Sequence, residues 1–251
     1  MIGIFDSGSG GLTVFKEIIA RLPRADFIYF GDLRNAPYGE KTPEELGALT
    51  VLGMERLLNE GATQIVSACN SVSSNIVMPM FDILDIKPID IIEMVGPTVR
   101  AFREKRDKKV LIVGTTATLR SGIYQNGFLA LGMDVIAVPI PHLAGAIEEG
   151  TTEAGMKGMV SNILEKHKGE FDTIVLACTH YPLVWDIFSD VVGDGIEIFN
   201  PAVVVAEDVA KRFDGEGESK VRFVISKDSQ FFRQKVNEIF GSDGYIIDVL
   251  K

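Results

Sequence analysis

Reactive and cationic residues are scarce in this chain. Its 251 residues include two cysteines, three histidines (His142, His167 and His180) and one tryptophan. Those cysteines and histidines show no spacing typical of structural zinc, so no metal site is expected. Lysine and arginine total 25 against 35 for aspartate and glutamate, a net charge of −10 with no basic stripe to offset it. A nucleic-acid ligand is therefore not expected. The one dense basic stretch, residues 100–109, also carries Glu104 and Asp107 and reads as a solvated helix end and linker. No apolar run approaches the roughly 20 residues that span a bilayer, so no membrane partner is expected. The N-terminus opens as a strand without the basic and apolar regions of a signal peptide. These absences together predict a cytoplasmic location, where thiols stay reduced.

Apolar residues make up 46% and charged residues 24%, enough for a core in one large or two small domains. Strand-like apolar runs at 2–5, 27–30, 65–68, 89–94, 110–113, 135–138, 174–177, 196–199 and 221–225 are separated by other segments. Helical spacing of Leu12, Phe15, Ile19 and Leu22, and of Leu46, Leu49, Leu57 and Leu58, fills two of the intervals, and a further helix suits 230–240. Such alternation predicts an α/β fold with mainly parallel sheets flanked by helices.

The two cysteines end near-copies of one strand. Thr63-Gln64-Ile65-Val66-Ser67-Ala68-Cys69 and Asp172-Thr173-Ile174-Val175-Leu176-Ala177-Cys178 lie 109 positions apart. At the same offset Ile2-Gly3-Ile4-Phe5-Asp6-Ser7 matches Leu111-Ile112-Val113-Gly114-Thr115-Thr116, aligning Asp6 with Thr115. The chain thus reads as two pseudo-symmetric halves with a site in the cleft between them. The expected division is 1–96 and 97–206, with the tail 207–251, which has no counterpart in the first half, returning to the first domain.

In open parallel sheets ligands sit beyond the carboxyl ends of strands. Asp6, Ser7, Cys69, Asn70, Thr115, Thr116, Cys178, Thr179 and His180 all fall there. Helix N-termini after Ser7 and after Thr115 are expected to offer N–H groups to an anion, a carboxylate or a phosphate. Asp6-Ser7-Gly8-Ser9-Gly10-Gly11 has neither the Walker nor the dinucleotide spacing. Its Gly10 and Gly11 suit a tight turn as well as a ligand role. Two thiols facing one carbon suggest proton removal on one side and delivery on the other, with Asp6 assisting Cys69 and His180 assisting Cys178.

Five segments together resemble the glutamate racemases of the aspartate/glutamate racemase superfamily. They are Phe5-Asp6-Ser7-Gly8-x-Gly10-Gly11, Gly31-Asp32-x4-Pro37-Tyr38-Gly39, Ala68-Cys69-Asn70, Gly114-Thr115-x-Ala117-Thr118-x2-Ser121 and Cys178-Thr179-His180-Tyr181-Pro182-Leu183. The resemblance implies cofactor-independent interconversion of L- and D-glutamate for peptidoglycan synthesis. It also implies a homodimer and two α/β domains with the tail returning to the first. Cys69 and Cys178 would be the acid/base pair, helped by Asp6, His180 and Glu148; the sequence does not separate Glu148 from Glu149. Asp6, Ser7, Tyr38, Gly39, Asn70, Ser71, Thr115, Thr118, Thr179 and His180 would contact the substrate, and Glu93 matches a further acidic position. Three departures from the pattern mark a divergent member: Ser71 where threonine follows Cys-Asn, Glu93-Met94 for Glu-Pro, and Asn200-Pro201 where an acidic residue is common.

Two alternatives remain among enzymes: a racemase of aspartate or another small carboxylate, and a thiol hydrolase. In aspartate racemases the residue after Cys-Thr is typically acidic, so His180 argues for glutamate. A Cys178–His180 thiol hydrolase would leave Cys69 idle. A non-catalytic binding or regulatory protein on the same scaffold is the reading from another class.

Overall fold

The structure, a computed structural model, describes residues 1–76 and 78–250. Val77 and Lys251, inside the expected 1–96 and 207–251 segments, lie outside the described residues. The described strands are β1 (Ile2–Asp6), β2 (Phe27–Gly31), β3 (Gln64–Ser67), β4 (Ile91–Ile92), β5 (Val110–Gly114), β6 (Ile136–Pro139), β7 (Thr173–Ala177), β8 (Glu197–Phe199), β9 (Val221–Ile225) and β10 (Tyr245–Val249). Around them run α1 (Leu12–Arg21), α2 (Pro43–Asn59), α3 (Asn70–Ser73), α4 (Met78–Leu84), α5 (Val95–Arg100) and α6 (Thr116–Arg120). The remaining helices are α7 (Ile123–Ala130), α8 (Leu143–Glu148), α9 (Glu153–Leu164), α10 (Trp185–Val192), α11 (Pro201–Arg212) and α12 (Gln230–Phe240).

Every pairing is parallel, in two sheets of order β10-β9-β2-β1-β3-β4 and β6-β5-β7-β8. Strands β1, β2, β5 and β7 are buried throughout. Helices on both faces of a sheet demand that, which is why these strands read as unbroken apolar runs. Local chemistry sets the helix starts. Thr42 and Glu45 form a reciprocal capping box ahead of α2, with Pro43 at its first position. Ser229 caps α12.

The order β2-β1-β3-β4 recurs as β6-β5-β7-β8, so the duplication is real in topology. Its register corrects the sequence alignment by one residue. Phe5 lies opposite Ser67, and Val113 opposite Leu176. With Cys69 and Cys178 held equivalent, Ser7 rather than Asp6 corresponds to Thr115.

Several expected elements differ. The strand expected over 89–94 shrinks to Ile91–Ile92, because Glu93 turns back to accept the N–H groups of Val95 (2.5 Å) and Gly96 (2.7 Å) and starts α5. The expected 97–109 linker therefore begins as helix. The departure at Asn200-Pro201 is a helix start: Asn200 Oδ1 accepts the Ala202 N–H at 3.1 Å, and proline fits the first helical position. Helix α11 packs along α1 and α5, ahead of the return expected at residue 207. Strand β9 then pairs with β2, and β10, absent from the sequence reading, pairs with β9.

Aromatic packing secures that return. Phe223 of β9 and Phe240 of α12 lie 5.8 Å and 5.0 Å from the Phe15 ring, and Phe232 lies 5.8 Å from Tyr29. Phe15, Phe223 and Phe232 are fully buried, so truncating any one to alanine costs about 3–5 kcal/mol. Among the described residues no helix is long and apolar enough to cross a membrane.

Candidate active site

Cys69 lies two residues past β3 and Cys178 one residue past β7, where an apolar run gives way to a turn, and both are buried and free. They line one cavity of about 20 Å³ together with Ser7, Pro37, Tyr38, Gly39, Asn70, Ser71, Thr115, Ala144, Thr179 and His180. That is room for a single water molecule. A wider mouth of about 240 Å³ shares Ser7, Pro37, Ala144 and His180 with it and is also lined by Leu33, Glu148, Lys227 and Ser229. A larger groove of about 660 Å³, lined by Glu93, Arg100 and Arg103 among others, contains neither cysteine.

The two thiols have different company. The Cys69 thiol points at Ser7 Oγ, 3.5 Å away. Burial, and then the nearby Asp6 carboxylate, push this thiol up to about 12, while its bonds to Ser7 and Val72 offset only part of the shift. Asp6 is itself fully buried and accepts the Gly8 N–H at 2.9 Å and the Thr179 hydroxyl at 3.3 Å. Cys178 Sγ lies 3.9 Å from His180 Nδ1. The far nitrogen of the same ring, Nε2, is 2.8 Å from Glu148 Oε1. Burial alone lowers the His180 pKa, but the bonds to Cys178 and Glu148 outweigh it and hold the value well above the ordinary one. Glu148 mirrors this. Burial raises it, yet His180 and the two donors of Ser9 hold its carboxyl below the usual range.

Glu148 meets Ser9 through the backbone N–H at 2.6 Å and the hydroxyl at 3.0 Å, a contact spanning 139 positions. Its neighbour Glu149 is exposed, so Glu148 is the inward-facing member of the pair. The glycine-rich turn makes this approach possible. A Cβ on Gly8 would sit 2.5 Å from Glu148 Oε1, and one on Gly10 2.5 Å from His180 Nδ1 and 2.6 Å from Thr179 Oγ1. Gly39 gives the same clearance to Thr115 at 2.7 Å. These glycines admit side chains of the other lobe, a role that neither a tight turn nor a ligand contact describes.

The anion sites expected at helix starts are partly occupied from within. Gly8 N–H goes to Asp6 and Ser9 N–H to Glu148, and α1 begins only at Leu12. After Thr115, its own hydroxyl accepts the Thr118 N–H at 3.2 Å. Ser71 Oγ joins Thr115 Oγ1 at 2.8 Å and Thr118 Oγ1 at 3.3 Å, and the two threonine hydroxyls lie 2.9 Å apart. The hydroxyl that Ser71 shares with threonine is thus the atom the wall uses. Thr118 is close to the cavity without lining it. Tyr38 lines the cavity, but its hydroxyl donates to Asp32 at 2.6 Å. Glu93 sits at the start of α5 and lines the separate groove. The sequence assigned no role to Ser9, Asp32 or Tyr124; Ser9 and Asp32 stood inside quoted segments, while Tyr124 carries no local signal.

Against known proteins, the family model described as Asp/Glu/Hydantoin racemase matches residues 2–209. The chain belongs to this family. It is 30% identical to glutamate racemase 2 of Caldanaerobacter subterraneus subsp. tengcongensis over 99% of this chain and 97% of that protein. Among solved racemases, the glutamate racemase of Aquifex pyrophilus superposes with a TM-score of 0.84 at 31% identity, covering 99% of this chain and 97% of its own. A glutamate racemase isoform from Bacillus anthracis gives 0.87 at 27%, covering 100% and 97%. The match to whole racemases includes both sheets and the returning tail.

Proposed function

We propose that the chain interconverts L- and D-glutamate without a cofactor, by proton transfer between two cysteines. One sulfur, as thiolate, takes the α-proton: an S–H bond forms, and the C–H electron pair remains on the α-carbon, delocalised toward its carboxylate. The other sulfur, as thiol, gives its proton to the opposite face. The C–H bond is restored with inverted configuration, and thiol and thiolate have exchanged places, so no further reactant is consumed. A single observation carries this reading: both thiols line one buried cavity at the ends of equivalent strands.

The rest of the cavity supports it. Ser7, Asn70, Ser71, Thr115, Thr179 and His180 line it with polar atoms for an ammonium and carboxylates, and Tyr38 and Gly39 form a wall. Asp6 stands behind Thr179 without lining it and accepts that hydroxyl. Thr118 acts through Thr115 and Ser71, and Glu148 through His180. Excluding water strengthens each of these interactions and protects the carbanion. The cavity is too small for an amino acid, so admission requires the 33–39 loop and the 227–229 turn at the mouth, or the lobes themselves, to move apart.

His180 favours glutamate over aspartate, since aspartate racemases typically carry an acidic residue there. The relatives' activity further implies D-glutamate supply for peptidoglycan in the cytoplasm, and the family resemblance implies a homodimer. Either enantiomer of glutamate, incubated with the protein in heavy water, is expected to gain deuterium at the α-carbon. Binding of glutamate with no exchange would instead favour a non-catalytic protein on this scaffold. Faster exchange with aspartate would reassign the substrate.

A further inference from the structure

Tyr124 and Asn70 meet across the junction of the two lobes. Tyr124, in the first turn of α7, is fully buried and donates its hydroxyl to Asn70 Oδ1 at 2.6 Å. Asn70, the first residue of α3 and the neighbour of Cys69, is 2% exposed and lines the cysteine cavity. Its other amide atom, Nδ2, is buried and has no hydrogen-bond partner among the described residues. Buried polar groups are nearly always paired, and an orphaned donor beside a cavity marks a place where a ligand completes the bond. Tyr124 fixes which end of the amide is free: with Oδ1 committed to the phenol, the N–H end is left for the cavity.

We propose that Tyr124 is a positioning residue, which locks the Asn70 amide so that Nδ2 donates to a carboxylate oxygen of the bound amino acid. The inference rests on the racemase reading and names a residue that reading does not use. Burial holds the Tyr124 hydroxyl well above its ordinary pKa, so it stays a donor throughout the working pH range. Because the phenol comes from the second lobe and the amide from the first, the bond is made only with the lobes together. The Asn70 donor is thus oriented in the closed form and released when the site opens.

A double-mutant cycle on the full chain tests this, read both as kcat/KM for each enantiomer and as the glutamate Kd by calorimetry. Tyr124→Phe is expected to weaken both about tenfold and Asn70→Ala about a hundredfold, whereas Tyr124→Phe added to Asn70→Ala changes them less than about twofold. A further tenfold loss in the double variant, or an effect of Tyr124→Phe alone below about twofold, overturns the proposal. Asn70→Asp keeps an oxygen for Tyr124 and removes the free N–H, so unchanged glutamate affinity in that variant overturns it too, without any change at Tyr124. Absence of α-exchange in the unmodified protein would refute the racemase reading, while the Kd cycle would still decide the role of Tyr124.

Discussion

The Cys69 and Cys178 sites share a strand end, a burial level and a cavity, yet they differ in charge. A thiolate at Cys178 has the His180 imidazolium 3.9 Å away, backed by Glu148. A thiolate at Cys69 has the Asp6 carboxylate for a neighbour and only the Ser7 hydroxyl to point at. Duplication therefore supplied two equivalent thiols, and the residues around them supplied a bias. In the resting site burial and the Asp6 carboxylate keep Cys69 protonated, while the His180 ring stands beside the other sulfur. Glutamate is symmetric in energy between its two forms, so kcat/KM must remain equal for the two enantiomers whatever the bias. The asymmetry appears in single-direction observables, such as the isotope effect and the pH profile of each enantiomer.

The largest effect tests whether both thiols are needed. Cys69→Ser and Cys178→Ser are each expected to lower kcat by about 10³-fold or more, since a hydroxyl is a far poorer base than a thiolate. Circular dichroism should be unchanged, because serine fills nearly the same space. If one variant keeps half of the wild-type rate in both directions, the two-sulfur scheme is wrong.

Next in size is the cation beside one sulfur. His180→Asn is expected to cut kcat/KM about a hundredfold, equally for D- and L-glutamate, and to move the α-deuterium isotope effects of the two enantiomers in different directions. Equal isotope effects before and after the change would mean that His180 does not create the difference between the halves.

Glu148→Gln sharpens the same comparison through pH, with a loss of about tenfold near neutrality and an alkaline limit of activity shifted to lower pH. The stability change has a definite sign. His180 is raised in the fold, so its contribution is complete below about 6.5 and fades as pH rises through the raised value. Glu148 is lowered, so its contribution is present above about 4.3 and fades as pH falls through the lowered value. The melting temperature of the wild type should therefore exceed that of Glu148→Gln most between about pH 4.5 and 6.5, with the gap closing on both sides. A gap that is independent of pH would remove the ion pair from the account.

Much of this was legible in the sequence because parallel strands buried on both faces announce themselves as apolar runs. The ends of such runs located Asp6, Ser7, Cys69, Thr115, Cys178 and His180 before any coordinates. Edge strand β10 escaped because it is half exposed and includes Asp248, so it presents no continuous apolar signal. The one-residue slip between Asp6 and Thr115 escaped because repeat spacing fixes a strand's position less tightly than ladder hydrogen bonds do. Contacts between distant segments left no trace at all. Ser9 with Glu148, Tyr124 with Asn70, and Asp32 with Ser226, 194 positions apart, are products of the assembled fold. Each of the three motif departures has a local account. Asn200 and Glu93 are explained by helix starts, and Ser71 by a hydroxyl that works as threonine's would.

The smallest effect concerns a wall that only the first lobe possesses. Buried Asp32 accepts the Tyr38 hydroxyl at 2.6 Å, the Ser226 hydroxyl at 2.7 Å and the Asn35 amide at 2.8 Å. Ser226 also accepts the Arg34 N–H at 2.9 Å, so the end of β9 fastens the loop that carries Pro37, Tyr38 and Gly39 against the cavity. No strand of the returning tail joins the second sheet, and on that side the wall at Thr179 is tied to Asp6 and Thr13 of the first lobe. Ser226→Ala leaves Asp32 two partners and removes two hydrogen bonds, to Asp32 and from the Arg34 N–H, each worth about 1 kcal/mol net. The expected result is a KM raised about threefold to tenfold with kcat within about twofold, because the wall shapes the chamber without touching the proton path. A fall in kcat at unchanged KM would instead place the tail's contact in the chemistry, and the two walls would then differ in function as well as in construction.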